Sequence, residues 1–450
     1  MTPVEFMRLF AEFRESSWDG WRAILARLTP AVREFYAIVG RGAGKSRIVA
    51  LLACVFASRE YRRAPGEAIY IGVFAPDRKQ ATNTFKYVLG LLRSVPSLEN
   101  LIVAESRESV ELSNGVIIEV ITASIAAPRG RSYALVIVEE AAFLPTDDDA
   151  NPDVELLWAV RPALARVPGS LLCVVSSPYA RKGVLWTAWS KHHDKPDGDV
   201  VLVQAATLAL NPTFNARAIE RAYEEDPAKA QAEYGAQFRT DVESFVSREA
   251  IDAVVVPGRL ELPYVSGVRG VGFLDFAGGA IGGDSAVLAI AHVEQTAPRD
   301  PRTAARTIAI LDLVREMRPP FSPELVCAEF AATLKSYGIS TATSDRWAGQ
   351  FPVEQMAKHG IRVEPSARAK SDIYKDFLPV VNSGACELLD LPRLTAQLAG
   401  LERRTARGGK DSIDHQPGGH DDVINAAAGA MTLTTSGPRE IVVREALWCG

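Results

Sequence analysis

The sequence predicts an α/β protein: an N-terminal domain on a mostly parallel sheet, a helical linker, and a second α/β domain with a different strand order. Three observations lead there. Through the first half, short apolar runs rich in β-branched residues alternate with helical stretches, and strands that are apolar on both faces belong to parallel sheets covered on both sides. From Asn211 to Arg239 the chain carries helix-start signals and no strand pattern. In the second half, three successive strand-like runs joined by loops read as an antiparallel meander with helices after it.

The chain has 450 residues, enough for two or three domains that each bury a core. Hydrophobic content is 47% and charged content 23%, ordinary for a globular protein. No apolar run is long enough to span a bilayer, and the opening Met-Thr-Pro-Val-Glu-Phe lacks the regions of a signal peptide. Cys54, Cys173, Cys327, Cys386 and Cys449 are scattered without metal-ligand spacing and read as small core residues in a reducing compartment. A net charge of −5 excludes a uniformly basic DNA-coating protein but leaves room for a local basic patch.

In the first domain, Phe35-Tyr-Ala-Ile-Val39 reads as a strand and Arg47 to Phe56 as a buried helix. Between them lies Val39-Gly-Arg-Gly-Ala-Gly-Lys-Ser46. Strand, glycine-rich turn, Lys-Ser and helix make a phosphate-binding loop, with Val39 standing where the motif's first glycine usually falls. Backbone N–H groups of Gly40, Arg41, Gly42, Ala43 and Gly44 would curl around a polyphosphate, aided by the positive end of the helix. Lys45 would reach the β- and γ-phosphates, and the Ser46 hydroxyl would ligate Mg²⁺. Further strands are expected at Ala68–Phe74, Val116–Ile121, Leu135–Val138 and Leu171–Val175.

Leu135-Val-Ile-Val138 ends in Glu139-Glu140, the Walker B pattern of an apolar strand followed by two acids. Glu139, at a position where Asp is more common, would hold the hydrated Mg²⁺. Glu140 would orient or deprotonate the attacking water. Together these features predict a P-loop ATPase domain of the ASCE type with ATP and Mg²⁺ as cofactors. The strand ending at Val175 leads into Ser176-Ser177-Pro178, where Ser177 is a candidate sensor of the γ-phosphate. Before Walker B, Pro128-Arg-Gly-Arg131 offers Arg129, with Arg131 as runner-up, as an arginine finger for a neighbouring subunit. A Ser-Pro turn and generic surface arginines are the plain alternatives.

In the linker, Asn215 opens one helix, and Asp226-Pro227 caps another in which Ala230, Tyr234 and Phe238 form an apolar stripe. The second domain begins near Phe245. Its strands are Gly270–Asp275, Ser285–His292 and Thr307–Val314, followed by the helix Pro323–Lys335, a short strand to Ser344-Asp345, and a small-residue helix after Gly418-Gly-His-Asp-Asp422. Strand order and acid placement give an RNase H-like plan, with Asp275, Asp345, Asp421 and Asp422 converging from distant positions. Such carboxylates repel one another unless divalent cations neutralise them, so two Mg²⁺ or Mn²⁺ ions are expected, serving phosphodiester cleavage. Adjacent helical residues face about 100° apart, which leaves open whether Asp421 or Asp422 is the direct ligand. Asp284 fits a turn role better than a ligand role. Asp312 and Glu329 are outside candidates or simple surface acids, and His420 is a candidate for tuning the site.

Gly40-Arg-Gly-Ala-Gly-Lys-Ser46, Leu135-Val-Ile-Val-Glu-Glu-Ala-Ala-Phe143 and Val175-Ser-Ser-Pro178, in this order and ahead of the acids, resemble the Walker A, Walker B and coupling motifs of the large terminase subunit of tailed bacteriophages. An arginine inside the Walker A loop is usual there, and Arg41 fits. Asp275 and Asp345 match the family's first two nuclease acids, and Gly419-His-Asp-Asp422 its final helix motif. The resemblance covers the chain to about Thr434. It implies domains at 1–208 (ATPase), 209–244 (linker) and 245–435 (nuclease), with a tail at 436–450. It further implies ATP-driven packaging of double-stranded DNA into a procapsid and cutting of concatemeric DNA. A homo-oligomeric ring, typically a pentamer, would dock on a portal protein, with a small terminase subunit choosing the site. No membrane is involved; the protein would work in the host cytoplasm during phage assembly and be absent from the mature virion.

Duplex DNA would be held through its phosphates, with Arg403–Lys410, Arg368–Lys370 and Arg59–Arg63 as basic candidates and Arg407-Gly-Gly-Lys410 favoured. Two other readings stand beside this one. A repair helicase or translocase with a fused nuclease would usually carry a second motor domain, which the sequence lacks. A silent DNA-binding scaffold would tolerate loss of Lys45, Glu140 and the aspartates, all of which are present.

Overall fold

A computed structural model describes residues 2–122, 130–144, 152–195, 197–280, 283–296, 306–345, 350–405, 411–417, 419–436 and 442–444. Contacts divide the chain into two compact units, one reaching to Val242 and the other running from Glu243 onward.

The first unit is built on eight strands: β1 (Glu34–Val39), β2 (Ile69–Ala75), β3 (Ile102–Glu105), β4 (Ser109–Leu112), β5 (Val116–Thr122), β6 (Ser132–Glu139), β7 (Leu171–Ser176) and β8 (Val200–Ala205). They lie in the order β3-β4-β5-β2-β6-β7-β1-β8. From β5 to β8 all neighbours are parallel, and only the short strand β4, antiparallel to both β3 and β5, runs against the rest. Side chains alternate between two apolar layers. Phe35, Ala37 and Val39 face one, with the helix Lys45–Ala57, whereas Tyr36 and Ile38 face the other, with the helix Pro152–Leu164. The carboxyl ends of β1, β6 and β7 lie side by side, as the parallel pairing of those strands requires. This edge is where such sheets bind ligands.

After β8 the helices Ala216–Glu225 and Pro227–Glu233 start at Asn215 and Asp226, whose side chains accept from Arg217 N and Lys229 N. The predicted apolar stripe does not continue. The second helix ends at Glu233, because Gly235 N turns back to Ala230 O and Gln237 N to Gln231 O. Ala236 takes a left-handed conformation (φ 55°), so Phe238 leaves the helix and packs edge-on against Trp186, with ring centres 5.1 Å apart.

After β9 (Val242–Ser244), the second unit has strands β10 (Val271–Asp275), β11 (Ala286–Thr296), β12 (Arg306–Met317), β13 (Thr341–Ser344), β14 (Arg362–Pro365), β15 (Cys386–Glu387), the hairpin β16 (Leu401–Thr405) and β17 (Asp411–His415), and β18 (Val442–Arg444). The main sheet runs β14-β13-β10-β11-β12-β15, with β18 beside β11. β10, β11 and β12 form the expected antiparallel meander, and β13 joins β10 in parallel, which is the RNase H-like arrangement. One face packs on the helix Asp422–Ser436 and the other on Pro323–Ser336. Cys54, Cys173, Cys327 and Cys386 are buried free thiols. No helix of the described residues is long and apolar enough to cross a membrane.

Candidate active sites

In the first unit the glycine loop joins β1 to the helix Lys45–Ala57. Gly42 and Gly44 take left-handed backbone angles (φ 78° and 89°) that favour glycine. A Cβ on Gly40 would lie 2.2 Å from Thr207 Oγ1, so close approach dictates the third glycine. Three successive loop carbonyls accept from side chains: Arg41 O from Thr207 Oγ1 (2.8 Å), Gly42 O from Asn211 Nδ2 (2.9 Å) and Ala43 O from Trp21 Nε1 (2.6 Å). These three bonds fix the backbone of the loop. It opens on a cavity of about 1010 Å³ lined by Arg41, Gly44, Lys45, Ser46, Asn83 and Glu140.

The reactive groups converge beneath this loop. Lys45, 8% exposed, places Nζ 3.2 Å from Glu140 Oε1 and 3.4 Å from Val39 O. Glu140 sits in a left-handed conformation (φ 46°) at the end of β6, with its N–H donating to Val175 O. A non-glycine residue held there stores local strain, common where a side chain must be aimed. Glu140 Oε2 accepts from Ser176 Oγ (3.1 Å) and from Ser177 N (3.3 Å) and Oγ (3.5 Å). The Ser-Ser pair thus touches the acid predicted to handle the attacking water. Glu139 is 2% exposed and accepts from Thr84 Oγ1 (2.5 Å). Burial raises its pKa, against the lowering influence of the neighbouring Thr84 and Ser46 hydroxyls. The predicted Mg²⁺ pair, Ser46 and Glu139, is therefore close in space.

Arg41 turns to Glu233, with Nη1 3.2 Å from Oε2. Arg129 lies outside the described residues. Arg131 is tied down: it pairs with Glu119, which also accepts from Tyr133 (3.0 Å), and its guanidinium lies 4.9 Å from the centre of the Tyr70 ring. A free surface arginine is not what the structure places at that position.

In the second unit Asp275 ends β10, and Asp345 follows β13 with its N–H on Leu274 O (3.2 Å). Asp421 and Asp422 open the helix behind them. Asp275 Oδ2 accepts from Asn425 Nδ2 (2.7 Å), Asp422 Oδ2 from Ser285 N (2.8 Å), and Asp421 Oδ2 from Tyr374 Oη (2.9 Å). Burial, then the charges of Asp345, Asp422 and Asp421, hold the Asp275 carboxyl well above the usual range despite the Asn425 bond. Asp422 is pushed up to about 6, chiefly by burial and then by Asp284 and Asp421. All four predicted acids thus share one field, and such a donor set fits divalent cations.

The structure adds Asp414, His415 and Asn425, which the sequence reading did not name, and brings Lys370, expected on DNA, to the acids instead. Lys370 Nζ lies 2.9 Å from Asp421 Oδ2 and 3.0 Å from Asp414 Oδ1. The ligand atoms of Asp284, His420 and Asp422 lie within 4.8 Å of one another, as do those of Asp414, His415 and Asp421. Asp284 therefore stands beside the acid pair, not merely in a turn. Asn425 was legible in principle, since it follows Asp421 by four residues and falls on the same helix face. Asp312 is no surface acid: it is buried on His292 Nδ1 at 2.7 Å, well along β11 from the strand end where Asp275 pairs with Val287. Glu329 is exposed on its helix. Of the basic segments, Arg368 pairs with Asp376, the Arg59 guanidinium lies over the Phe56 ring, and Arg407 to Lys410 lie outside the described residues.

The fold and these two sites define a class: a P-loop α/β unit followed by an RNase H-like unit carrying an acidic cluster. The family model for the helicase domain of RNA cytidine acetyltransferase NAT10/TcmA matches residues 37–148. No curated protein matches the chain. Among solved structures, the large terminase of bacteriophage HK97 is similar at 16% identity over 92% of this chain and 94% of its own, with a TM-score of 0.41. The large terminase nuclease of thermophilic phage G20c with bound magnesium is similar at 15% identity over 42% of this chain and 96% of its own, with a TM-score of 0.34.

Proposed function

We propose that the chain is a DNA-packaging enzyme with two engines, an ATPase that drives double-stranded DNA into a procapsid and a nuclease that cuts concatemeric DNA. The observation that carries this reading is the coexistence in one chain of two complete reactive clusters, Lys45–Ser46–Glu139–Glu140 and Asp275–Asp345–Asp421–Asp422. The motif order and its resemblance to large terminase subunits supply the packaging context. Portal protein, small terminase subunit, a pentameric ring and a place in the host cytoplasm during phage assembly belong to the same proposal.

In the first site, Lys45 leaves Glu140 to hold the β- and γ-phosphates of ATP, and Ser46 with Glu139 holds Mg²⁺. Glu140, aimed by Ser176 and Ser177, accepts the proton of the attacking water. Arg129 stands as the trans-acting arginine of this proposal. In the second site, Asp275, Asp345, Asp421 and Asp422 hold Mg²⁺ or Mn²⁺, which supplies water activation and stabilisation of the leaving 3′ oxygen. DNA contacts run through phosphates, without base reading.

Plasmid cleavage with Mg²⁺ or Mn²⁺, measured beside ATP hydrolysis, tests the reading. Asp275→Ala is expected to abolish cutting alone and Lys45→Ala to abolish ATP hydrolysis alone. Wild-type protein that never cuts, or Asp275→Ala that cuts normally, defeats the nuclease assignment. The family match over residues 37–148 favours a helicase as second reading; unwinding of a forked duplex without packaging activity would select it.

A further inference from the structure

Glu139 is one methylene longer than the aspartate more common at its position, and a longer side chain has an extra torsion to fix. The helix Arg78–Ser94 supplies the means. Its buried stripe is Ala81, Thr84, Phe85, Val88, Leu91 and Leu92, in which Thr84 is the one polar residue, fully buried. A buried hydroxyl is costly unless bonded. In helices threonine commonly bonds back to the carbonyl four residues earlier, as Thr82 does to Arg78 O and Thr333 to Glu329 O. Thr84 instead donates to Glu139 Oε2 at 2.5 Å, across 55 residues of sequence. The Ser46 hydroxyl lies near enough to influence the same carboxylate.

We propose that Thr84 is a positioning residue for the metal–nucleotide site, anchoring the Glu139 carboxylate against Ser46 so that the glutamate serves where an aspartate ordinarily would. The proposal rests on the ATPase reading of this site. Threonine satisfies two demands at once: its methyl fills the apolar stripe, and its hydroxyl fixes the acid. Valine keeps the shape and removes only the hydroxyl. Outer-shell partners of metal ligands are typically worth 10–100-fold in metal affinity or activity.

The test uses the full chain as wild type, Thr84→Val, Thr84→Ser and Lys45→Ala. Binding of a fluorescent ADP analogue is titrated with Mg²⁺ and, separately, measured in EDTA, and Mn²⁺ uptake in the presence of ADP is followed by electron paramagnetic resonance. Thr84→Val is expected to raise the Mg²⁺ concentration for half-maximal binding roughly 10-fold. Binding in EDTA is expected to stay at the wild-type level, and Thr84→Ser to restore the wild-type Mg²⁺ profile. A merely structural role would lower metal-free binding as well and would not be rescued by serine. Should Thr84→Val fold poorly, Thr84→Ala against Thr84→Ser carries the same comparison. A wild-type Mg²⁺ profile in the hydroxyl-free variant overturns the role of Thr84 and leaves the ATPase reading intact. Wild-type protein that binds nucleotide no better than Lys45→Ala sinks both.

Discussion

Lys45 Nζ and Glu140 Oε1 stand 3.2 Å apart, so the cation proposed to bind phosphate is paired with the acid proposed to handle water. Both groups are largely withdrawn from solvent, where an ion pair is stronger than on the surface. Under the proposed function, nucleotide would displace Glu140 from Lys45, and the carboxylate would keep its bonds to Ser176 and Ser177.

Glu140→Gln therefore separates binding from chemistry. The amide keeps the side-chain shape but weakens the hold on Lys45 and cannot take up a proton. Nucleotide affinity is expected to rise a few-fold, and the rate of ATP hydrolysis to fall by roughly 10²–10⁴. Fluorescent-nucleotide binding and phosphate release measured on one preparation check both halves. A Glu140→Gln protein that hydrolyses ATP at the wild-type rate removes Glu140 from the chemistry.

What was legible in the sequence followed from how local each signal is. Lys45, Ser46, Glu139 and Glu140 sit inside contiguous motifs, and Asp275, Asp345 and Asp421-Asp422 each mark the end of a strand or the start of a helix. Thr84, Trp21, Thr207 and Asn211 carry no such mark. They bear on the P-loop site only because folding brings distant segments together, and each looks like an ordinary helix or loop residue in the chain. The central strands were readable as unbroken apolar runs, whereas the edge strands β3 and β4, with Ser109, Glu105 and Glu111, lack that pattern. Periodicity puts Phe238 on the helix because the apolar spacing continues past Gly235, whereas the backbone turns away there. Asp312 was misjudged because it is the extra residue of a β-bulge: Ile290 pairs with Leu313 but Ala291 with Leu311. That bulge turns Asp312 onto His292, which no alternation rule foresees.

The His292–Asp312 contact predicts a pH dependence of stability. Burial alone would lower the His292 pKa, but the hydrogen bond and charge of Asp312, followed by those of Glu294, outweigh it and leave it raised. Asp312 is itself raised, mainly by burial. Arg259 and Tyr337 are the other titratable groups whose charges couple to Asp312. A raised histidine stabilises fully below its unfolded pKa of about 6.5, and that share is lost as pH climbs through the folded value. The raised aspartate acts in the same direction from about pH 3.9 upward. The second unit is thus expected to lose up to about 1.4 kcal/mol of stability per pH unit within the histidine window, and so to melt at a lower temperature at pH 8.5 than at pH 6. His292→Gln, which keeps a hydrogen-bond donor for Asp312 and cannot titrate, is expected to flatten the slope. Thermal melts of both proteins across this range decide the matter, and parallel slopes would refute it.

Gly429 and Phe273 set the spacing of the helix Asp422–Ser436 on β10. A Cβ at Gly429 would lie 2.5 Å from the Phe273 ring, and both residues belong to the layer that carries Asp275 and Asp422 at its edge. Alanine is favoured over glycine in a helix by about 1 kcal/mol. Overpacking a close-fitted core costs about 1–3 kcal/mol, and here the obstructing atoms are a buried ring with little room to yield. The steric loss should win. Gly429→Ala is expected to lower the melting temperature by up to roughly 8 °C, from a net cost of up to about 2 kcal/mol at about 2–4 °C per kcal/mol for a unit of this size. It should also weaken plasmid cutting, because the helix carries Asp422 and Asn425 away from Asp275, while ATP hydrolysis stays unchanged. Adding Phe273→Leu should restore part of both losses by giving the new methyl room, a non-additivity expected only of residues in contact. Gly429→Ala as stable as wild type, or a double variant whose losses simply add, would show that the helix does not rest on Phe273 at this point.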